Sequence, residues 1–224
     1  MKILAASDLH GKHQTYSWLA QVVARRKPDA VVLAGDLLGF PDGFESVEEA
    51  QRQDAKRIAS HLDELRVPVL FIMGNDDWVE LEPRGEHVHP LHMQRMPCGS
   101  YNFVGYQFTL PFMGGVNERS EDDIAADLAV LESSLDSKTV LVTHSPAHGT
   151  LDSGVLGQSL GSISISETLS RCPVRAHIHG HIHECFGRVD HHFNVAAGEH
   201  RRAMLIDLVS LGHEVLQVSG NVLS

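Results

Sequence analysis

Short apolar runs that stop on metal-capable side chains constrain this chain more than any other feature of its sequence. Lys2–Ala6, Ala30–Ala34, Val67–Met73, Thr139–Thr143 and Val174–His179 have the length and apolarity of buried strands. They stop at Asp8-Leu9-His10, Gly35-Asp36, Gly74-Asn75-Asp76, His144 and Gly180-His181-Ile182-His183. Helical spacing fills the gaps. Residues 13–27 carry Trp18, Leu19, Val22 and Val23 on one side. Ser46 to Leu65 opens on a capping-box pair, Ser46 and Glu49, and keeps Ala55, Ile58, Ala59, Leu62 and Leu65 on one face. Ser120 caps a third helix with Ile124, Leu128, Leu131 and Leu135, and residues 162–171 form a short fourth. Asn102–Leu110 alternates as a further strand. From Phe186 to Val218 the helical period is lost, and three or four short strands around Gly187, Gly198 and Gly212 are expected to pair antiparallel. Strands alternating with helices predict an α/β protein, with a two-layered β core flanked by helices. No linker or repeat divides residues 1–224, so one domain is expected.

Composition narrows the partners. Lys and Arg number 18 against 29 Asp and Glu, a formal charge of −11. Such a chain has no general attraction for nucleic acid or an anionic membrane surface. No apolar run reaches the ~20 residues of a membrane span. An acid at position 8 interrupts any signal-peptide core. Cys98, Cys172 and Cys185 are scattered and odd in number, which suits a reducing compartment. A cytoplasmic protein is expected, and an oligomer is left open.

Each strand stop alone is an ordinary turn, cap or surface histidine. Together they point to one site, because α/β sheets build sites beyond the carboxyl ends of their strands. In extended backbone, residues two apart point the same way. Asp8 and His10 can then reach one ion, and so can His181 and His183. Asp36, central in the order, is placed to bridge two ions.

The motifs D-x-H (Asp8, His10), G-D-x-x-G (Gly35, Asp36, Gly39), G-N (Gly74, Asn75), T-H-x-P (Thr143, His144, Pro146) and G-H-x-H (Gly180, His181, His183) resemble, in order, those of the calcineurin-like metallophosphoesterase superfamily. The resemblance implies a four-layer α-β-β-α sandwich with two mixed sheets. It implies two divalent ions, the first held by Asp8, His10, Asp36 and His183, the second by Asp36, Asn75, His144 and His181. Carboxylate, amide and imidazole together suit Mn²⁺ best, with Fe²⁺ or Zn²⁺ as alternatives. It further implies attack of a metal-bridging hydroxide on a small phosphate ester, with Asn75 helping to stabilise the transition state. Thr143–Pro146 with Gly149, Leu151 and Asp152, the line from Gly180 to Gly187, and Asn194 resemble a subgroup that includes enzymes acting on cyclic nucleotides and other phosphodiesters.

One position departs from the pattern. Many members carry G-N-H, whose histidine helps protonate the leaving group; here the line reads Gly74-Asn75-Asp76-Asp77. An ordinary Asp, with a pKa of ~3.9, is a poor acid at neutral pH. His13 and His148, near the ligand positions, are alternative donors. His177 and His179 read as strand residues behind the ligands; His87, His89 and His92 read as an exposed strand or loop. Arg201 and Arg202 either touch phosphate or are solvated, and residues 153–162 form a specificity loop or a connector. Two other functions fit the same fold: a nuclease, which the acidic balance disfavours, and a scaffold, which the filled ligand positions disfavour.

Overall fold

The computed structural model describes residues 1–218; the last six positions of the expected 1–224 domain lie outside the described residues. Two six-stranded sheets face each other. In the first, β1 (Lys2–Ala6), β2 (Ala30–Ala34), β3 (Val69–Ile72) and β4 (Val88–Pro90) run parallel. The second holds β5 (Arg95–Cys98), β6 (Tyr101–Tyr106), β7 (Thr139–Thr143), β8 (Ala176–His179), β9 (Gly187–Val189) and β10 (His192–Asn194). Its order is β5-β6-β7-β8-β10-β9, with β6, β7, β8 and β10 parallel and an antiparallel strand at each edge. β11 (Arg202–Asp207) and β12 (His213–Gln217) return to the first sheet and pair antiparallel beside β1, giving the order β12-β11-β1-β2-β3-β4.

The period of two along each strand builds three apolar layers. Ile3, Ala5, Val32, Ala34, Leu70 and Ile72 meet Phe103, Val140, Val142, Ile178 and Phe193 between the sheets. The alternate residues Leu4, Ala6, Val31, Leu33, Val69 and Phe71 face α1 (His13–Arg26) and α2 (Val47–Asp63). On the far side, Val104, Tyr106 and Leu141 pack on Ile124, Leu128 and Leu131 of α3 (Glu121–Leu131) and on Ile165 of α4 (Ile163–Arg171). The result is the four-layer α-β-β-α sandwich with two mixed sheets that the resemblance implied. Helix starts follow the serines: the Ser46, Ser120 and Ser162 hydroxyls accept from the N–H of Glu49, Asp123 and Ile165, each at 3.2 Å.

The differences have local causes. The strand expected over 102–110 ends at Tyr106. Leu135 lies outside α3, because a 3₁₀ turn over Glu132–Ser134 closes that helix. The tail forms four strands, of which β10 pairs parallel with β8 rather than antiparallel. Among the described residues no helix is long and apolar enough to cross a membrane.

Candidate metal centre

Parallel strands bring the candidate residues to one end of the sandwich. Asp8 and His10 follow β1, Asp36 follows β2, and Asn75 follows β3; His144 follows β7, and His181 and His183 follow β8. Backbone rungs continue past the strands and hold the loops in register: Asp8 N–H to Gly35 O at 2.9 Å, His10 N–H to Asp36 O at 3.0 Å. The two sheets are stitched here by the His144 ring, whose Nδ1 lies 2.7 Å from Ala34 O.

Four of these residues adopt a left-handed backbone: Asp8 (φ 56°), His10 (φ 44°), Asp36 (φ 53°) and His181 (φ 68°). Each such conformation costs ~1–3 kcal/mol in a residue with a side chain, and this strain clusters at functional sites. Gly74 is needed for a different reason: a Cβ there would collide with Asp36 Oδ1 and the His144 ring.

The polar atoms converge. His183 Nε2 stands 3.1 Å from Asp8 Oδ1, and His10 shares the Asp8–His183 cluster. His144 Nε2 lies 3.2 Å from Asp36 Oδ2 and 3.1 Å from Asn75 Oδ1. The His181 ring packs edge-on against His144, centroids 5.2 Å apart, and its backbone N–H donates to the Asp8 carboxylate. His181 and His183 therefore diverge, one toward His144 and the other toward Asp8 and His10. The extended-backbone reading of both on one ion does not hold, because His181 is left-handed.

Electrostatics show what the cluster accepts. His144 Nδ1 must donate to Ala34 O, so a neutral ring would point a bare Nε2 lone pair at two oxygens. Only a cation between them, a proton or a metal ion, removes that repulsion. Burial disfavours a charged His144, yet the carboxylates of Asp36 and Asp8 outweigh it and lift the ring to about 10. Burial pulls His181 down to about 4, leaving it neutral and able to ligate. The hydrogen bond to Asp8 raises His183. Asp8 is held below the usual carboxylate range, because the His183 hydrogen bond and the nearby imidazoles overcome its burial. Buried carboxylates, imidazoles of which His144 has a backbone carbonyl behind it, and one amide oxygen form a donor set that suits a first-row divalent ion.

The leaving-group candidates are placed differently. The Asp76 carboxylate lies 3.6 Å from His10 Nδ1 and is drawn into a cluster with His10 and Asp36. The His13 ring is paired at 2.8 Å with Asp54, whose carboxylate also accepts from Gly39 N–H. His148 is exposed on the loop after β7. Arg202 donates to the carbonyls of Ala196 and His183, both at 2.9 Å, and covers the Phe186 ring; it supports the His183 turn rather than facing solvent.

Sequence reading missed the groups that clamp the loops. Asp77 is fully buried and accepts from the N–H of Leu37, Leu38 and Gly74 at 2.7–3.1 Å, joining the Asp36 and Asn75 loops. Burial and the Asp36 charge push its carboxyl up to about 8, against the pull of those three donors. Its one signal was a second acid after Gly-Asn. Asn117 donates to the carbonyls of Gly74 and Asp77, and Gln51 bonds Asp76 O and Trp78 N; nothing in the sequence marked either. Asp77→Ala leaves three buried N–H groups unpaired, at ~1–3 kcal/mol each. Urea unfolding should show a loss of at least about 3 kcal/mol, whereas a loss under about 1 kcal/mol would remove Asp77 from this role.

Comparison with known proteins supplies the relatives. A sequence profile described as calcineurin-like phosphoesterase matches residues 1–185. A search of curated proteins finds no significant match. Among solved structures, the protein TT1561 of Thermus thermophilus superposes with a TM-score of 0.70 at 15% identity, covering 96% of this chain and 98% of its own. A dimetal phosphatase from Danio rerio gives 0.64 at 13% identity, with 98% and 99% covered. GAP50, described as the anchor in the inner membrane complex of Plasmodium, gives 0.53 at 12% identity, with 99% and 90% covered. At these identities the structures share the fold, while the profile spans most of the chain: the protein belongs to the calcineurin-like phosphoesterase family.

Proposed function

We propose that the protein is a cytoplasmic, binuclear-metal-dependent phosphoesterase acting on phosphomonoesters or small phosphodiesters. One observation supports this reading: ligand atoms of Asp8, His10, Asp36, His144 and His183 cluster at the strand ends, with Asn75 Oδ1 3.1 Å from His144 Nε2 and the His181 ring packed against His144. In the proposal Asp8, His10, Asp36 and His183 hold one ion, Asp36, Asn75, His144 and His181 the other, and Mn²⁺ fits the mixed donors best. When bound, the ions supply an activated water and positive charge for the phosphoryl oxygens.

The chain's own residues then position and exclude. Ala34 O fixes the His144 tautomer, so that Nε2 is the free face. Asn75 turns its oxygen toward His144 and its NH₂ toward Asp76, at 3.1 Å. Around this mouth the loops are apolar: the Phe112 ring packs on His181 with centroids 5.8 Å apart, beside exposed Met113. Val155 and Leu156 are exposed on the hairpin whose Ser153 carbonyl accepts from Cys185, two residues past His183. Residues 36–46 and 149–161 contain no Lys or Arg. Lys12, beside His183, is paired with Glu199 at 3.0 Å, so the rim suits an ester with a neutral organic group and offers a nucleic-acid backbone few free cations to follow.

The test is hydrolysis of p-nitrophenyl phosphate and bis(p-nitrophenyl) phosphate by dialysed protein. Activity should vanish in EDTA and return with Mn²⁺. Full activity after exhaustive chelation would contradict the reading.

A further inference from the structure

The position that departs from the family pattern lies within reach of the metal cluster. His10, Asp36 and Asp76 each offer a ligand atom, and those atoms lie within 4.8 Å of one another. Ligand atoms around one first-row ion fall within ~4.2 Å, twice a bond of ~2.1 Å. The three groups span slightly more than this, so a small inward turn of the side chains would bring them to a coordination geometry.

Three further observations aim the carboxylate. The Asn75 NH₂ donates to Asp76 Oδ1 at 3.1 Å, which leaves Oδ2 to face His10 Nδ1 at 3.6 Å. The Asp76 N–H donates to Asp36 Oδ1 at 2.9 Å, pinning the two acids side by side. Among the described residues no Lys or Arg pairs with Asp8, Asp36 or Asp76, so three adjacent carboxylates have only imidazoles to balance them. A structural carboxylate would normally bring its own cation or a set of backbone donors, as Asp77 does; the Asp76 carboxylate has neither. The side chain is only half-buried, at the mouth of the cluster.

We infer that Asp76 is a further metal ligand, adding a carboxylate to the ion seat formed by His10 and Asp36. This rests on the proposed metal-dependent function and extends it. The position at which the resemblance implies a leaving-group histidine would here supply a carboxylate to the metal. The added negative charge tightens dication binding, and one coordination position is occupied by protein.

The test is Mn²⁺ titration of the metal-free full chain by calorimetry, comparing wild type with Asp76→Asn and Asp76→Ala. Wild type should bind two Mn²⁺ ions. In both variants at least one ion should bind ~10-fold or more weakly, the scale on which even residues behind the ligands matter. Thermal midpoints without metal should be equal to or above wild type, since a carboxylate beside Asp36 has been removed. A smaller change at both ions, with wild type binding two, overturns the role of Asp76 and leaves the metal centre standing. A wild type that binds no Mn²⁺ overturns the metal centre itself. A variant whose metal-free midpoint falls well below wild type makes Asp76 structural and also overturns the inference.

Discussion

Asp36→Asn is expected to lower phosphoesterase activity by on the order of 10³-fold or more, further than His181→Ala or His183→Ala. In the proposed centre only Asp36 serves both ions. Its carboxylate lies 3.2 Å from His144 on one side and shares the His10–Asp76 cluster on the other. A positioned metal supplies several kcal/mol of transition-state stabilisation, and each ~1.4 kcal/mol is tenfold in rate. The asparagine keeps the shape and one oxygen but removes the charge. His181 and His183 each serve one side, so their loss leaves the other side formed. Initial rates at saturating Mn²⁺ decide the order. An Asp36→Asn enzyme within tenfold of wild type would show that Asp36 does not bridge.

The second large effect concerns the leaving group. Activated aryl esters should be hydrolysed ~10²–10⁴-fold faster than alkyl monoesters, the usual contribution of one general acid. Asp76 is drawn toward His10 and Asp36, and His13 is engaged with Asp54. Burial and the Asp36 charge raise Asp76 from the ordinary aspartate value, which moves it toward a usable acid. The loss of a histidine outweighs this wherever the carboxylate is engaged by the cluster. Asp76→His, measured at saturating Mn²⁺, should raise alkyl-ester rates relative to aryl-ester rates and so narrow the gap between them. Equal wild-type rates on both ester types, unaltered by His13→Ala or His148→Ala, would end this account of position 76.

Much of the frame was legible because burial is symmetrical there. β1, β2 and β7 have the limits of their predicted runs, since both faces of each strand are covered and their interiors are unbroken apolar sequence. The serine caps Ser46 and Ser120 marked two helix starts, whereas the Ser162 cap went unread. β5 escaped because it carries Pro97 and Arg95; an edge strand tolerates both, but neither reads as strand. β4 is three residues long, too short for a period to show. The seven candidate residues were legible as a set because each ends a strand. Their directions were not: alternation treats Asp8, His10 and His181 as extended, whereas each turns left-handed and re-aims its side chain. Asp77 and Asn117 act on backbone N–H and carbonyl groups across loops, contacts of long sequence separation that no local pattern encodes.

The central claim is that this chain uses its strand-end cluster to hold metal. Anomalous diffraction at the manganese edge, from crystals grown with Mn²⁺, addresses that directly. Two peaks are predicted, one among Asp8, His10, Asp36 and His183 with Asp76 beside it, the other among Asp36, Asn75, His144 and His181. No peak at these residues, or peaks elsewhere on the protein alone, would contradict the account.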